Sequence, residues 1–366
     1  MKKIYTLVVL LATIIGLAQN GAPANPYYSG FNWTLTGSAL KNALSTTTIA
    51  KHTNLLSYTP GVWEASKITD LDPTNLANVI LVYGFENGTD AIVTNDRTRS
   101  KLSQGGNNGN WNREHVYAKS LGTPVLLDGG TANSASSDAG EDAHHLRPAD
   151  VQWNAQRGNT KFATGSGNSG DVVAGWYPGD EWKGDIARMM MYMYLRYPTQ
   201  CLPTGVGTGS SPSSDSNMLN LFLQWNAEDP VSQFEDNRNT YHDTTGTYAQ
   251  GNRNPFIDNP YLATIIWGGQ VAQNRWPAVF LSTETFDAFT NISIYPNPTT
   301  NQKINIETEI VLDEIDLINI NGQLMQQIKK PVLENRTYTI ENLPKGFYFL
   351  KLISDNKSIT KKLIVN

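Results

Sequence analysis

The sequence predicts an α+β protein: a mixed, helix-rich domain followed by a small C-terminal β-sandwich. Three observations carry this. Up to about residue 280, apolar residues recur at helical spacing in several segments, with isolated strand-like runs between them. From Ile292 onward, short alternating apolar runs return at regular intervals between turn signals. Between the two, Phe280–Asn291 marks a break in composition.

The chain has 366 residues, which suits one large domain and a small one. Hydrophobic residues make up 39%, enough for a sizeable core and too many for wholesale disorder. Charged residues are only 17%, against roughly 25% in an average soluble chain. Ser, Thr, Asn and Gly fill the difference, as in many exported proteins. The net charge of −5 excludes a generic basic coat for nucleic acid. The single cysteine, Cys201, excludes an intrachain disulfide and any Cys-rich metal site.

Taken in order, the elements begin with a leader. Lys2 and Lys3 precede an apolar run, Ile4–Leu17, and Gly16-Leu17-Ala18 places small residues at the −3 and −1 positions. This predicts a cleaved signal peptide over 1–18, since the run is shorter than the roughly 20 residues that span a bilayer. No later stretch is apolar enough to span, so the mature protein is expected outside the cytoplasm. The large domain then occupies 19–280, a linker 281–291 and the sandwich 292–366. Thr36–Leu44 reads as a short amphipathic helix and Val79–Phe85 as a buried strand. Lys101–Asn110 is a Gly/Asn-rich loop ending at Trp111, and Leu127–Asp142 is a second small-residue loop. Ile186–Leu195 is the clearest helix, with Ile186, Met189, Met190 and Met193 at helical spacing and Asp185 in the capping position. Its methionine stripe reads as core rather than a copper site. Met218–Trp225 is a second apolar helix. The strands of the tail fall on Ile292–Pro298, Lys303–Glu307, Ile315–Gly322, Gly346–Ile353 and Lys361–Val365.

Three of the five histidines lie between Trp111 and Phe162, together with a concentration of acids, arginines and amides. Glu114 and His115 are adjacent, so on a strand they face opposite ways. One can hold a metal while the other works as a base. An ordinary imidazole, with a pKa near 6.5, suits general-base work near neutral pH and loses it below about pH 6. Oxygen donors without thiolates suit a hard cation. Zinc through His115, His144 and His145 is an alternative by residue type, although the neighbours His144 and His145 reach one ion only with difficulty.

The segments N-R-E-H-V (Asn112–Val116), D-x-H-H-L-R-P (Asp142–Pro148) and N-x-x-R-G-N (Asn154–Asn159) resemble the secreted endonuclease I family of His-Me finger, or ββα-metal, nucleases. The resemblance extends through Lys183–Tyr197, Leu223–Asn239 and Gln250–Trp267, and covers roughly residues 25 to 270. It implies a ββα-metal core in which a hairpin sets Glu114 and His115 against a helix carrying Asn154. His115 is then the general base. Glu114 and Asn154 hold one Mg²⁺-type ion, with Mn²⁺ or Ca²⁺ as alternatives. Arg113, Lys119, Arg147 and Arg157 are candidates for phosphate contacts, because a cationic side chain grips phosphate oxygens. Asp142, His144, His145 and Asn159 are supporting residues, with His144 the first alternative base. One departure stands out. Some family members carry a phosphate-binding arginine between the catalytic histidine and the second motif, yet Gly122–Glu141 holds no arginine or lysine.

The tail, in Ser293–Asn301, Ile320–Met325, Leu343–Leu352 and its KKLIV ending, resembles the C-terminal sorting domain of type IX secretion cargo. The implied partners are the Sec and type IX machineries, with DNA, RNA or both as substrate. No stable membrane span is expected, and the chain is expected to act as a monomer. Without leader and tail, the remaining region carries 17 basic against 25 acidic residues, so capture of a polyanion rests on a few local cations and a divalent ion. The expected function is a secreted, metal-dependent, non-specific endonuclease. The alternative is a catalytically inactive nucleic-acid-binding or adhesion protein of the cell surface on the same scaffold.

Overall fold

The computed structural model describes residues 22–129, 139–280, 292–354 and 357–366. The expected signal peptide, the expected linker 281–291 and residues 130–138 of the second loop lie outside them. The chain divides into two compact units, 1–280 and 281–366.

The first unit opens with α1 (Gly37–Lys51), whose buried residues Leu40, Leu44 and Thr48 recur every four positions. The helix runs past Leu44 because Thr48 continues that stripe. A kinked turn over Tyr58–Val62 leads into α2 (Trp63–Thr69). A three-stranded antiparallel sheet follows from β1 (Leu71–Asp72), β2 (Asn75–Ile80) and β3 (Thr98–Ser100). The buried run expected as one strand to Phe85 therefore leaves the sheet at Ile80. Leu81 still donates its N–H to Arg97, but Val82 donates to Pro148. The run thus crosses from this sheet to the next pair of strands, β4 (Trp111–His115) and β5 (Leu146–Asp150). Directly after β5 comes α3 (Val151–Arg157), then the ribbon β6 (Gly170–Val172) and β7 (Gly175–Tyr177).

The remaining helices build the core behind that ribbon-and-helix unit. They are α4 (Lys183–Arg196), α5 (Pro203–Val206), α6 (Asn220–Glu228), α7 (Gln233–His242), α8 (Pro255–Asp258) and α9 (Tyr261–Trp267). α4 is buried on every side, so it is the central helix, and Met189, Met190, Met191 and Met193 are core. Asp185 does not cap it. It sits inside the first turn, buried, where Arg147 and Arg188 claim its carboxylate.

In the second unit, β8 (Ser293–Tyr295), β9 (Ile304–Glu307), β10 (Glu314–Asn319), β11 (Leu324–Lys329), β12 (Thr337–Ile340), β13 (Gly346–Ser354) and β14 (Lys357–Val365) form two antiparallel sheets. Their orders are β11-β10-β13-β14 and β12-β9-β8. Alternate residues such as Ile304, Ile306, Ile315, Leu317, Leu350 and Leu352 close one apolar core.

Candidate active site

Register on β4 and β5 places the motif residues. β4 pairs antiparallel with β5, Glu114 opposite Arg147 and His115 opposite Leu146. Strand alternation then sends Asn112 and Glu114 to one face and Arg113 and His115 to the other. β5 runs straight into α3 because Asp150 ends the strand and caps the helix, accepting the N–H groups of Gln152 (2.8 Å) and Trp153 (3.0 Å). α3 stops at Gly158, whose φ of 53° favours glycine, which accounts for the glycine of the third motif. Asn154 and Arg157, three residues apart on α3, share the helix face that meets β4.

His115, Glu114 and Asn154 line one cavity of about 260 Å³, together with Arg113, Lys119 and Asn159. His115 Nε2 lies 2.9 Å from the Gly140 carbonyl oxygen. A carbonyl only accepts, so Nε2 carries the proton and Nδ1 holds the lone pair. Nδ1 has no hydrogen-bond partner among the described residues. Gly140 can approach so closely because a Cβ there would run into the Leu127 carbonyl. The Tyr58 ring stacks on the imidazole, centroids 5.4 Å apart and planes 29° apart. Burial pushes the imidazole down to about 4, with Lys119 adding to the shift. His115 is therefore neutral well below the pH 6 limit that its ordinary value implies.

Glu114 is buried, and both of its hydrogen bonds fall on Oε1, from the Tyr83 hydroxyl at 3.0 Å and Arg157 at 3.1 Å. Oε2 has no partner among the described residues. Burial raises the carboxyl to about 7 against the pull of Arg157 and Tyr83. Asn154 donates Nδ2 to Asn112 Oδ1 at 2.7 Å, which leaves its own Oδ1 without a partner among the described residues. Glu114 and Asn154 both line the cavity and each has an uncommitted oxygen, a donor set whose chemistry fits a hard divalent cation. Nothing in the arrangement supports the zinc alternative. The Nε2 atoms of His115, His144 and His145 are each committed to oxygen, on Gly140, Asn252 and Ala139. Among the described residues, no group of three His, Cys, Asp or Glu is placed to hold an ion.

The cations divide in a way the sequence does not show. Arg147 is fully buried, with Nε on Asp70 at 2.7 Å and Nη1 on Asp185 at 3.2 Å. It holds the fold and does not meet phosphate. Arg157 is also fully buried, and it ties Glu114 to the His115 and Val116 carbonyls. It too is withdrawn from the list of phosphate contacts. Arg113 and Lys119 remain on the cavity wall. The Arg113 guanidinium is layered between Tyr58 (3.4 Å) and Trp63 (4.1 Å). Lys119 is 40% exposed and pairs with Asp128 at 2.6 Å.

The supporting residues divide as well. Asn159 sits on the cavity wall, its amide on Ser120 Oγ at 3.3 Å. The His145 ring lies 5.7 Å from that of His115. His144 points into a buried network with Asn252 and Tyr192, so it is not placed as a substitute base. Asp142 anchors the same network, accepting from Tyr192 (2.8 Å), Tyr197 (3.1 Å) and Gln250 (3.0 Å). Sequence reasoning missed Tyr58, Tyr83, Asn112 and the Gly140 carbonyl. The last has no side-chain signature, whereas Asn112 lies inside the first motif.

The family description "Endonuclease I" matches residues 36–261. The chain belongs to the endonuclease I family. Two curated relatives are both named "Extracellular ribonuclease". The one from Bacillus subtilis (strain 168) is 42% identical over 270 residues, 70% of this chain and 84% of its own. The one from Bacillus amyloliquefaciens is 43% identical over 245 residues, 63% of this chain and 74% of its own. Residues 293–366 match the description "Secretion system C-terminal sorting domain". A chain of a structure probing PorZ, a surface component of the type IX secretion system of Porphyromonas gingivalis, is 14% identical at a TM-score of 0.19. That match covers 23% of this chain and 13% of that one, a likeness too slight to bear on fold or function. This endonuclease I family member is a secreted nuclease that carries a type IX sorting domain. No described helix is long and apolar enough to cross a membrane.

Proposed function

We propose that the protein hydrolyses phosphodiester bonds within RNA and DNA without base preference, with His115 as general base and one divalent ion held by Glu114 and Asn154. The observation that carries this reading is the state of His115. Its Nε2–H is fixed on the Gly140 carbonyl and its Nδ1 is uncommitted, in the same cavity as the free oxygens of Glu114 and Asn154. The names of the two relatives put RNA first among the substrates.

Nδ1 of His115 takes a proton from water, and the oxygen forms the new bond to phosphorus as the bond to the leaving ribose or deoxyribose oxygen breaks. The Gly140 carbonyl favours the imidazolium that results, because it accepts from Nε2. Glu114 and Asn154 would hold an Mg²⁺-type ion, or Mn²⁺ or Ca²⁺ in its place, which would supply Lewis-acid stabilisation of the charge on the phosphate and the leaving oxygen. Arg113 and Lys119 hold the phosphate, with Lys119 released from Asp128. These contacts read the backbone alone, so no base preference follows.

The test is digestion of RNA and plasmid DNA by the mature protein, with and without a chelator, beside the His115→Ala variant. Activity is expected to vanish on chelation and return with Mg²⁺. His115→Ala is expected to lose about 10²–10⁴ in rate with its fold intact. Cleavage that survives chelation, or a loss under tenfold in the variant, defeats the assignment.

A further inference from the structure

Two features of the cation wall have no explanation in the three-residue motif. One is that both donors to Glu114 choose the same oxygen. The other is that Asn154 is tied down through its nitrogen. Strand alternation brings Asn112 and Glu114 to one face of β4, and helical spacing brings Asn154 and Arg157 to one face of α3. The two faces meet in two hydrogen-bonded rungs, Asn154 to Asn112 at 2.7 Å and Arg157 to Glu114 at 3.1 Å.

Tyr83 joins from a third segment. Its φ is 70°, a conformation that a bulky aromatic rarely adopts. The surroundings enforce it. Its carbonyl accepts from Trp153 Nε1 at 3.2 Å and from the Ser169 hydroxyl, and its ring meets Trp176 edge-on at 5.6 Å. That backbone directs a fully buried phenol onto Glu114 Oε1 at 3.0 Å. Strained residues held by their surroundings cluster where a site needs fixed geometry.

We infer that Tyr83 and Asn112 are positioning residues that decide which atom of each ligand is left for the ion. Tyr83, with Arg157, occupies Oε1 and leaves Oε2 of Glu114 free. The Asn112 side-chain oxygen accepts from the Asn154 nitrogen, and in that pairing the Asn154 oxygen is left free. The opposite rotamer of the amide would set two oxygens face to face. Neither residue lines the cavity, so each would act through the ligand it holds. The inference rests on the reading of Glu114 and Asn154 as ion ligands.

The experiment measures Mn²⁺ affinity of the full mature chain by electron paramagnetic resonance, with no substrate present. Tyr83→Phe keeps the ring and removes the donor, and Asn112→Ala removes the acceptor. Each is expected to weaken Mn²⁺ about 10–100-fold, the usual cost of losing a group that orients a ligand. The decisive arm is Asn154→Asp. A carboxylate has an oxygen whichever way it turns, so Asn112→Ala is expected to cost nothing further in that background. An equal cost in both backgrounds overturns the orientation argument and makes Asn112 merely structural. If Tyr83→Phe and Asn112→Ala bind like wild type while Glu114→Gln does not bind, the ion ligands stand and this inference fails. If Glu114→Gln binds like wild type, the reading of the site itself fails, and the inference falls with it.

Discussion

The two units of this chain solve the problem of an interior in opposite ways. The interior of the C-terminal unit is aliphatic and aromatic apart from Thr299, Thr308 and Asp316, and its ion pairs, such as Lys303–Glu341, lie on the surface at 44% and 58% exposure. The nuclease unit buries charge. Arg147, Arg157, Arg188 and Arg238 are almost fully enclosed and paired with Asp70, Glu114, Asp185 and Glu235. A sandwich that serves as an address needs a shape, and apolar area with period-2 alternation specifies that. A site that must hold an imidazole and two oxygens in register needs directional contacts, and buried hydrogen-bonded pairs supply direction at little net gain in stability. The difference teaches that charge in this chain is placed for geometry.

The largest expected effect is at Asp70. Its carboxylate receives Arg147 on Oδ1 at 2.7 Å and Arg238 on Oδ2. Asp70→Ala removes the carboxylate that two buried guanidinium groups share, leaving Arg147 only Asp185 and Arg238 only Thr69 and two backbone carbonyls. Breaking one buried pair typically costs about 3–5 kcal/mol, and the loss here is expected at the top of that range. Lys303→Ala in the C-terminal unit removes an exposed pair and is expected to cost less than about 1 kcal/mol. Urea unfolding separates the two cases, because all nine tryptophans lie in the nuclease unit. Their fluorescence reports that unit alone. A loss at Asp70 as small as that at Lys303 would remove the distinction between the units.

Much of this was legible in advance, and the parts that were not share a cause. The order Asn112–Val116, Asp142–Pro148, Asn154–Asn159 marks the cavity, because strand alternation and helical spacing are periodicities of the chain itself. The helix at Ile186–Leu195 and strands such as Lys303–Glu307 and Gly346–Ile353 were visible for the same reason. The roles of Arg147 and Arg157 were not. An arginine beside a catalytic histidine reads as a phosphate contact, and only the fold reveals that Asp70, 77 residues away in sequence, already holds Arg147. Asp185 looked like a cap for the same reason. Val79–Phe85 looked like one strand because apolar pattern cannot tell a strand from a buried crossing between two sheets. Tyr58 and the Gly140 carbonyl come from segments outside the three motifs.

A second contrast concerns acid. All five histidines belong to the nuclease unit and none to the C-terminal one. Burial lowers His52, His144 (to about 4), His145 (to about 3) and His242. In the unfolded chain each takes a proton near pH 6.5, while in the folded unit each takes it only at lower pH, His144 near 4 and His145 near 3. Through these histidines the unfolded state binds more protons as the pH falls below 6.5 and stability declines, an effect partly offset by Glu114 and Asp229, whose carboxyls burial raises to about 7 and about 6. The cost approaches about 1.4 kcal/mol per pH unit for each such histidine. The tryptophan-detected urea midpoint is expected to fall steadily between pH 7 and pH 5. The C-terminal unit, followed as a separate protein by circular dichroism, is expected to keep its midpoint over the same range. A nuclease midpoint that holds to pH 5 would mean that these imidazoles are protonated inside the fold and paired with Asp142.

The smallest expected effect is on activity when the C-terminal unit is removed. No residue of the cavity lies beyond Asn159, and each unit closes its own hydrophobic core. The position of the cut matters because the nuclease core reaches almost to the boundary. Trp276 is fully buried, and its ring stacks on Phe280 at 6.2 Å while Trp33 meets it edge-on at 4.9 Å. A chain ended before Trp276 opens that aromatic cluster and is expected to unfold more readily. A chain ended after Phe280 keeps it, and its kcat/KM on RNA and its Mn²⁺ affinity are expected to equal those of the mature protein. Export is the property it should lose, since the sorting domain goes with the cut. If the shortened protein folds, as its tryptophan fluorescence would show, and yet cleaves more slowly, the aliphatic sandwich contributes to catalysis. The division between a unit built for geometry and a unit built for shape would then be wrong.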